Sequence, residues 1–192
     1  MANDALRLDP RDELVTHLGP MRAFALSLTR NGAQADDLVQ ETLVKAWKNL
    51  DKFTPGTNMQ AWLFTILRNS FYSSRRKSAR EVADPDGIAA AGLSEKPAHD
   101  GVLALGDFMV AFRQLPVEQR EALSLIGASG FSYDEAAEMC GVAVGTIKSR
   151  VNRGRSRLVE LLSADGEDFV SITDLVTEAV VNTTARGGGF AG

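Results

Sequence analysis

Apolar and polar positions along this chain repeat with the period of an α-helix, and segment 144–158 shows the pattern most clearly. One stripe of that segment is apolar, with the spacing i, i+4, i+7 and i+11, and consists of Ile147, Val151, Gly154 and Leu158. A second stripe is polar and positively charged and contains Lys148, Ser149, Asn152, Arg153 and Ser156. A helix with these two faces suits the DNA major groove, which admits one helix and presents acceptors on guanine edges.

A shorter helix and a turn are predicted immediately before this basic helix. Ser132 and Glu135 have the spacing of a capping box, in which each side chain bonds the backbone N–H of the other residue. Gly141 can take the left-handed conformation that ends a helix. A short helix, a glycine-containing turn and a basic helix together predict a helix-turn-helix.

Helical spacing continues through the rest of the chain. The predicted segments are 10–31, 35–50, 59–80 and a group from 107 to a turn at 127–130. Gly19 and Pro20 interrupt the first segment, which is therefore two short helices or one kinked helix. The predicted fold is all-α: two small helical domains joined by a flexible linker, with the helix-turn-helix in the second domain.

Composition sets the predicted domain boundaries. Segment 82–105 is acidic and interrupted by proline, glycine and a run of alanines, which is typical of a linker. We therefore expect a first domain at 1–81, a second at 106–162, and an acidic, partly disordered tail at 163–192.

The helix predicted at 35–50 carries a mainly polar stripe with one apolar member. This stripe consists of Asp37, Gln40, Glu41 and Val44. It could bind a partner, but from these residues alone a solvated helix face is the better interpretation.

The helix predicted at 59–80 interleaves aromatic and basic residues. Its second stripe contains Trp62, Thr65, Asn69, Tyr72 and Arg76. Aromatic rings beside cations suit unstacked bases of single-stranded DNA. An alternative interpretation fits these residues equally well: the aromatic rings are half-buried against the core, and the arginines only increase solubility.

The formal net charge of −4 is unusual for a DNA-binding protein, but the positive charge is concentrated in segments 68–80 and 148–157. Since phosphate contacts depend on local charge, two contacts with nucleic acid are indicated. Cys140 is the only cysteine, and His17 and His99 are far apart, so we expect no metal, cofactor or catalytic residue. The N-terminus lacks the pattern of a signal peptide and no long apolar run is present, which favours the cytoplasm.

Three motifs together resemble bacterial RNA polymerase sigma factors. Segment 35–47 (ADDLVQETLVKAW) is similar to the helix that binds core polymerase, and segment 61–69 (AWLFTILRN) to the part that melts and reads the −10 element. Segments 115–123 (LPVEQREAL) and 145–150 (GTIKSR) are similar to the −35-reading domain. Since the chain has no room for the additional domains of housekeeping sigma factors, the resemblance is to the two-domain extracytoplasmic-function class, and to its EcfG-type general-stress-response members.

The resemblance implies a role for each surface. Asp37, Gln40, Glu41 and Val44 would dock on the clamp helices of the largest polymerase subunit, which reverses the interpretation from the residues alone. Asn69, with Trp62 nearby and the 54–59 loop above it, would receive a base flipped from the −10 element, and Tyr72 and Arg76 would also contact −10 DNA. Lys148, Ser149, Asn152 and Arg153 would face −35 DNA, with Arg150 holding phosphate.

The resemblance also implies partners: core RNA polymerase, promoter DNA, a small NepR-like anti-sigma factor and a response regulator carrying a sigma-like decoy. It implies no enzymatic activity in this chain itself. Two alternatives remain, namely a helix-turn-helix regulator that acts without polymerase and an interaction decoy that mimics a sigma factor. A decoy has no need of the basic face at 148–157.

Overall fold

The computed structural model describes residues 10–81 and 100–163, and these residues form helices joined by short turns. The first range contains α1 (Pro10–Thr16), α2 (Leu18–Thr29), α3 (Gly32–Lys48), a 3-10 turn (Leu50–Lys52) and α4 (Met59–Glu81). The second contains α5 (Asp100–Gln114), α6 (Val117–Leu123), a π-helical turn (Ser124–Ala128), α7 (Tyr133–Cys140) and α8 (Val144–Ser163). The prediction of an all-α fold is confirmed, and no strand occurs in the described ranges.

Two helix starts in the first domain differ from the prediction, for local reasons. The break between α1 and α2 falls at His17, because Pro20 lies in the first turn of α2, where its missing N–H is no loss. Helix α3 begins at Gly32, three residues early, because Asn31 caps it: the Asn31 side chain accepts from the backbone N–H of Gln34 at 3.0 Å.

The capping signals of the second domain are confirmed. Ser132 and Glu135 form the predicted capping box, and Gly141 ends α7 with a left-handed φ of 64°. The predicted turn at 127–130 is shorter than expected, because the π-helical turn continues through Ala128. Helix α5 begins at Asp100, inside the segment predicted as linker. The predictions for 82–99 and for the tail from 164 lie outside the described residues.

Each domain has an apolar core built from helix stripes. In the first domain α3 and α4 pack on α2, and the rings of Phe24 and Phe64 stack with centroids 4.6 Å apart. In the second domain α5, α6 and α7 contact α8. The predicted apolar stripe of α8 is confirmed as core: Ile147, Val151 and Leu158 are fully buried.

The two domains are also packed on each other. Helix α2 contacts α6 and α4 contacts α7, and we call this contact the seam. The Phe64 and Phe131 rings meet edge to face across it, with centroids 5.5 Å apart. Buried apolar residues therefore continue from one domain into the other. Within the described ranges, no helix combines the length and hydrophobicity needed to cross a bilayer.

Candidate nucleic-acid interface

The outer side of α3 carries the stripe of polar residues noted in the sequence. Asp37, Gln40, Glu41 and Val44 are all exposed. Trp47 lies three residues after Val44, and the two side chains are 57 % and 53 % exposed. Residues three apart are neighbours on a helix surface, so two large apolar side chains interrupt a polar face. Trp47 was absent from the predicted set, although its i+7 spacing from Gln40 could have included it.

Lys45 fixes this side of α3 against α4. The Lys45 ammonium donates to the buried Ser70 hydroxyl at 2.9 Å and to the Glu41 carboxylate at 2.5 Å. An open groove of about 740 Å³ lies along α4 and is bordered by Glu41 of α3. Its remaining lining residues are Ser70, Ser73, Ser74, Arg76, Lys77 and Arg80. The groove therefore joins the exposed side of α3 to the basic end of α4.

Three of the four residues predicted for −10 DNA lie on one side of α4. Trp62, Asn69 and Arg76 are seven residues apart, which is almost two full turns, so they follow a single line. Trp62 is half-buried and packs on Phe53, with ring centroids 5.3 Å apart, whereas Asn69 and Arg76 are exposed. The Asn58 side chain caps α4 by accepting from the backbone N–H of Ala61 at 3.1 Å. The turn before α4 is thereby held at the Trp62 end of this line.

Tyr72, the fourth residue, turns toward the seam. Its hydroxyl donates to the Glu121 carboxylate at 3.2 Å, and the Arg68 guanidinium lies 4.7 Å from the centre of its ring. Burial and then the negative charge of Glu121 raise the pKa of Tyr72. In this arrangement Tyr72 belongs to the domain contact.

The residues predicted to read −35 DNA form an open face on α8, with one exception. Lys148, Asn152 and Arg153 are exposed, and Ser149 is half-buried beside them. The Arg153 guanidinium donates to the Ser149 hydroxyl at 2.5 Å, one turn away. The Lys148 ammonium lies 5.9 Å from the centre of the Tyr133 ring, so α7 and α8 both contribute to this face.

Arg150 is the exception. Its guanidinium Nη1 lies 3.9 Å from a carboxylate oxygen of Glu121, and its side chain is 22 % exposed. The residue predicted to hold phosphate thus points away from the open face of α8 and toward the seam.

Glu121 is a further residue that the sequence did not single out. It is a fully buried carboxylate, and Arg68 Nε donates to it across the seam at 2.7 Å. Burial raises the pKa of Glu121 above the usual range, although the charge of Arg68 opposes this shift. The nearby Cys140 thiol has its pKa raised to about 12, by burial and then by the charge of Glu121. Cys140 is therefore a buried, protonated thiol, as expected of a small core residue.

Among the described residues, no group of three or more His, Cys, Asp or Glu side chains is placed to hold a metal ion. The described surface offers hydrogen-bond donors, cations and exposed apolar side chains such as Val44 and Trp47. Groups of this kind suit the binding and positioning of other molecules.

Comparison with known families matches both halves of the chain. Residues 14–81 match the Sigma-70 region 2 family, and residues 105–158 match Sigma-70, region 4. The ECF RNA polymerase sigma factor EcfG of Rhodopseudomonas palustris is 56 % identical over 160 residues, covering 83 % of this chain and 88 % of that protein. The RNA polymerase sigma factor CnrH of Cupriavidus metallidurans is 32 % identical over 175 residues, covering 78 % and 91 %.

Among solved structures, the sigma factor RpoE of Bartonella quintana, in complex with the anti-sigma factor NepR, is similar with a TM-score of 0.72. It is 55 % identical, and the similarity covers 80 % of this chain and 96 % of that one. Regions 2 and 4 on one chain define an RNA polymerase sigma factor. The chain belongs to the extracytoplasmic-function family of sigma factors, with EcfG among its relatives.

Proposed function

We propose that this sigma factor divides its work among the three surfaces described above. The exposed side of α3, extended by Trp47, binds core RNA polymerase. The line of Trp62, Asn69 and Arg76 on α4 binds the opened −10 element, and the open face of α8 reads the −35 element. One observation supports the proposal: the hydrogen bond from Lys45 to Ser70 holds the exposed Val44 and Trp47 side of α3 against α4, the helix to which we assign the −10 contact. A regulator that acts without polymerase has no need of this exposed side of α3.

Strand opening requires a pocket that offsets the cost of unstacking. Extruding a base from a duplex costs a few kcal/mol. Asn69 is exposed and offers both a donor and an acceptor to the edge of a flipped base. Trp62 is held against Phe53 beside it, so its ring is ordered before DNA arrives. A fixed aromatic ring loses little entropy when a base stacks on it, and stacking contributes about 1–3 kcal/mol per base.

Upstream recognition relies on α8. A bidentate contact between arginine and guanine contributes about 1–3 kcal/mol of discrimination, which makes Arg153 the principal reader. The bond from Arg153 to Ser149 limits the rotamers of the guanidinium, and Asn152 adds an amide on the same face. Lys148 is a point charge without fork geometry, so we assign it to a less selective contact.

Regulation and cellular setting follow from the EcfG relationship. The solved relative that is 55 % identical is bound to the anti-sigma factor NepR. We therefore infer that a small NepR-like protein inhibits this chain, that a response regulator with a sigma-like segment relieves the inhibition, and that the output is a stress response. The chain acts in the cytoplasm as a polymerase subunit and catalyses no reaction by itself.

Run-off transcription with purified core polymerase tests the assignment. The full chain and core polymerase are mixed with a panel of promoters that contain EcfG-type −35 and −10 elements, without anti-sigma factor. Specific transcripts that require both the chain and core polymerase support the proposal. Specific duplex binding by the chain alone, with no transcript, would identify a regulator that acts without polymerase. Absence of transcripts from every promoter would refute the sigma-factor roles assigned here.

A further inference from the structure

Two adjacent residues of α6 connect the domains, and both are charged and buried. Arg120 is 3 % exposed and Glu121 is fully buried. Neighbours on a helix point about 100° apart, so the two side chains enter the first domain at different places. Charged residues are almost never fully buried unless they are paired. Two consecutive buried charged residues therefore distinguish the seam from the rest of the core.

Arg120 binds the carboxyl end of α2. Its Nε donates to the carbonyl of Ser27 at 2.6 Å and its Nη2 to the carbonyl of Leu28 at 3.1 Å. Its Nη1 donates to the carbonyl of Leu115 in its own domain. The last carbonyls of a helix have no partner within that helix, and they lie at the negative end of its dipole. One guanidinium therefore satisfies carbonyl groups of both domains.

Glu121 binds both helices that face DNA. Its carboxylate accepts from Arg68 Nε at 2.7 Å and from the Tyr72 hydroxyl at 3.2 Å, and both residues belong to α4. Arg150 of α8 lies 3.9 Å from the same carboxylate. A single buried group thus holds the −10 helix and the −35 helix together.

A second contact covers the start of α4. Asn58, which caps α4, donates from its side chain to Glu135 of the α7 capping box at 3.4 Å. The Phe64 and Phe131 rings meet nearby in the core of the seam. The first helix of the helix-turn-helix therefore lies against the turn that precedes Trp62.

In this arrangement the two DNA-facing helices lie too close together to span the two promoter elements. The −10 and −35 elements are about 25 base pairs apart by their labels, which is roughly 85 Å of B-DNA. In the structure Arg68 of α4 and Arg150 of α8 contact the same carboxylate. The two DNA-facing helices can reach both elements only after the seam has separated.

We propose that the free chain closes on itself along this seam, and that Glu121, with Arg120 beside it, is the clasp that keeps the domains in a DNA-incompetent arrangement. The inference rests on the proposed function of α4 and α8. The clasp occupies Arg68, Tyr72 and Arg150, so it removes cationic and aromatic groups from both DNA-facing helices at once. Anything that binds only the separated domains, core polymerase above all, shifts the chain to the open form.

The chemistry of the clasp suits reversible closure. A buried ion pair gains little net stability, because desolvation of both charges offsets their attraction. Loss of one partner is costly, however, because the other charge remains buried and uncompensated. The closed form is therefore easily opened by a partner and sensitive to substitution at Glu121.

Distance measurement on the free, full-length chain tests the clasp. Fluorophores are attached at Asp51→Cys in the first domain and Glu160→Cys in the second, in a Cys140→Ala background, and single-molecule energy transfer is recorded. We expect one compact population for the parent chain. Glu121→Gln should raise the ratio of open to closed molecules about tenfold or more, since bonds to charged groups are lost. Arg68→Gln, which changes the other side of the seam, should act in the same direction.

Glu138→Gln is the matched control, because Glu138 is an exposed carboxylate of α7. Circular dichroism verifies that each variant keeps its helices, and small-angle scattering of the unlabelled parent and Glu121→Gln chains verifies the change in size. A parent chain that is mostly open, or equal open-to-closed ratios in the Glu121→Gln, Arg68→Gln and Glu138→Gln chains, would overturn the clasp. These distances need no polymerase, so a failed transcription assay refutes the proposed function separately.

Discussion

Gly154 of α8 lies directly against Leu123 of α6. A Cβ atom added at Gly154 would lie 2.8 Å from Leu123 Cδ1 and 3.4 Å from the Cβ of Gln119. The absence of a side chain at this one position lets α8 approach α6 closely. Because α6 also carries Glu121, the same contact fixes the distance between α8 and the seam.

Substitution Gly154→Ala should destabilise the second domain by about 1–2 kcal/mol, because the added methyl group overpacks a filled core and Leu123 must move. Gly145→Ala is the control on the same helix, since nothing lies within 4 Å of its Cβ position. That change should be neutral or stabilising by about 0.5 kcal/mol, because alanine loses less backbone entropy than glycine. Urea denaturation followed by circular dichroism measures both, and equal effects would contradict close packing at Gly154.

Helix periodicity predicts burial within a domain. The α8 stripe and the capping box of Ser132 and Glu135 follow from residue spacing and from local hydrogen bonding, and both agree with the structure. On α4 the spacing is less reliable toward the end of the helix. Helical spacing predicts a core stripe on α4 that consists of Leu63, Ile66, Leu67, Ser70, Phe71 and Ser74. Ser74 is nevertheless exposed, like every side chain from 73 to 80, because α4 continues beyond its packing partners.

The seam could not be predicted in this way. Glu121 counts in the sequence as one more negative charge, and its complete burial depends on Arg68 and Tyr72, which are about fifty residues away. Phe64 lies outside the predicted core stripe of α4, because part of its packing is against Phe131 of the other domain. Long-range pairing of this kind leaves no periodic signal. The roles of Asn69 and Arg153 remain predictions that rest on family resemblance and exposure.

The capping box of α7 should give a pH-dependent contribution to stability. The backbone N–H and the hydroxyl of Ser132 lower the pKa of Glu135. A carboxyl with a lowered pKa stabilises the fold above its unfolded pKa of about 4.3, and this contribution is lost as the pH falls through the folded value. Glutamine can also close a capping box, without the charge. The parent chain should therefore have a more stable α7 cap than Glu135→Gln at pH 7, and this difference in stability should become smaller as the pH falls.

Hydrogen exchange of the Ser132 amide, compared in the two chains from pH 6 to pH 3, measures this contribution locally. Acid unfolding elsewhere affects both chains equally, so the comparison isolates Glu135. A difference between the chains that stays constant down to pH 3 would show that ionisation of Glu135 does not stabilise the cap.

Trp47→Ala and Val44→Ala should weaken binding to core polymerase. A half-exposed aromatic ring at the centre of a contact surface is typical of a binding hot spot, so Trp47→Ala should cost about 2 kcal/mol and Val44→Ala less. Val110→Ala is a matched control, because Val110 on α5 is 55 % exposed, close to the 53 % of Val44. Fluorescence anisotropy with labelled chain and core polymerase measures the three affinities. If the Val44 and Val110 variants bind core polymerase with equal affinity, Val44 is not part of the polymerase-binding surface.

Arg153→Ala should reduce selectivity for the −35 element by about 1–3 kcal/mol, because a bidentate base contact is lost. Arg157→Ala is the control one turn further along α8, where the Arg157 side chain already pairs with Glu160 at 2.8 Å. The measurement is the ratio of open-complex formation on promoters with an intact and a substituted −35 element, with saturating core polymerase. If Arg153→Ala keeps the ratio of the parent chain, Arg153 does not read bases.

Asn69→Ala should impair strand opening and leave assembly of the holoenzyme intact. Asn69 is exposed on α4 and contributes nothing to the core, so the variant should fold and bind core polymerase as the parent does. Loss of one or two hydrogen bonds to a flipped base should cost about 1–3 kcal/mol, or roughly fivefold to 150-fold in open complexes. Permanganate footprinting of thymines in the −10 element measures opening, and anisotropy measures core binding.

Gln34→Ala, another exposed amide on a helix of the same domain, is the control. On a template with a preformed −10 bubble, the loss of open complexes in Asn69→Ala should be smaller, because the −10 base pairs are already open. Parallel losses of core binding and opening would instead place Asn69 at the polymerase contact.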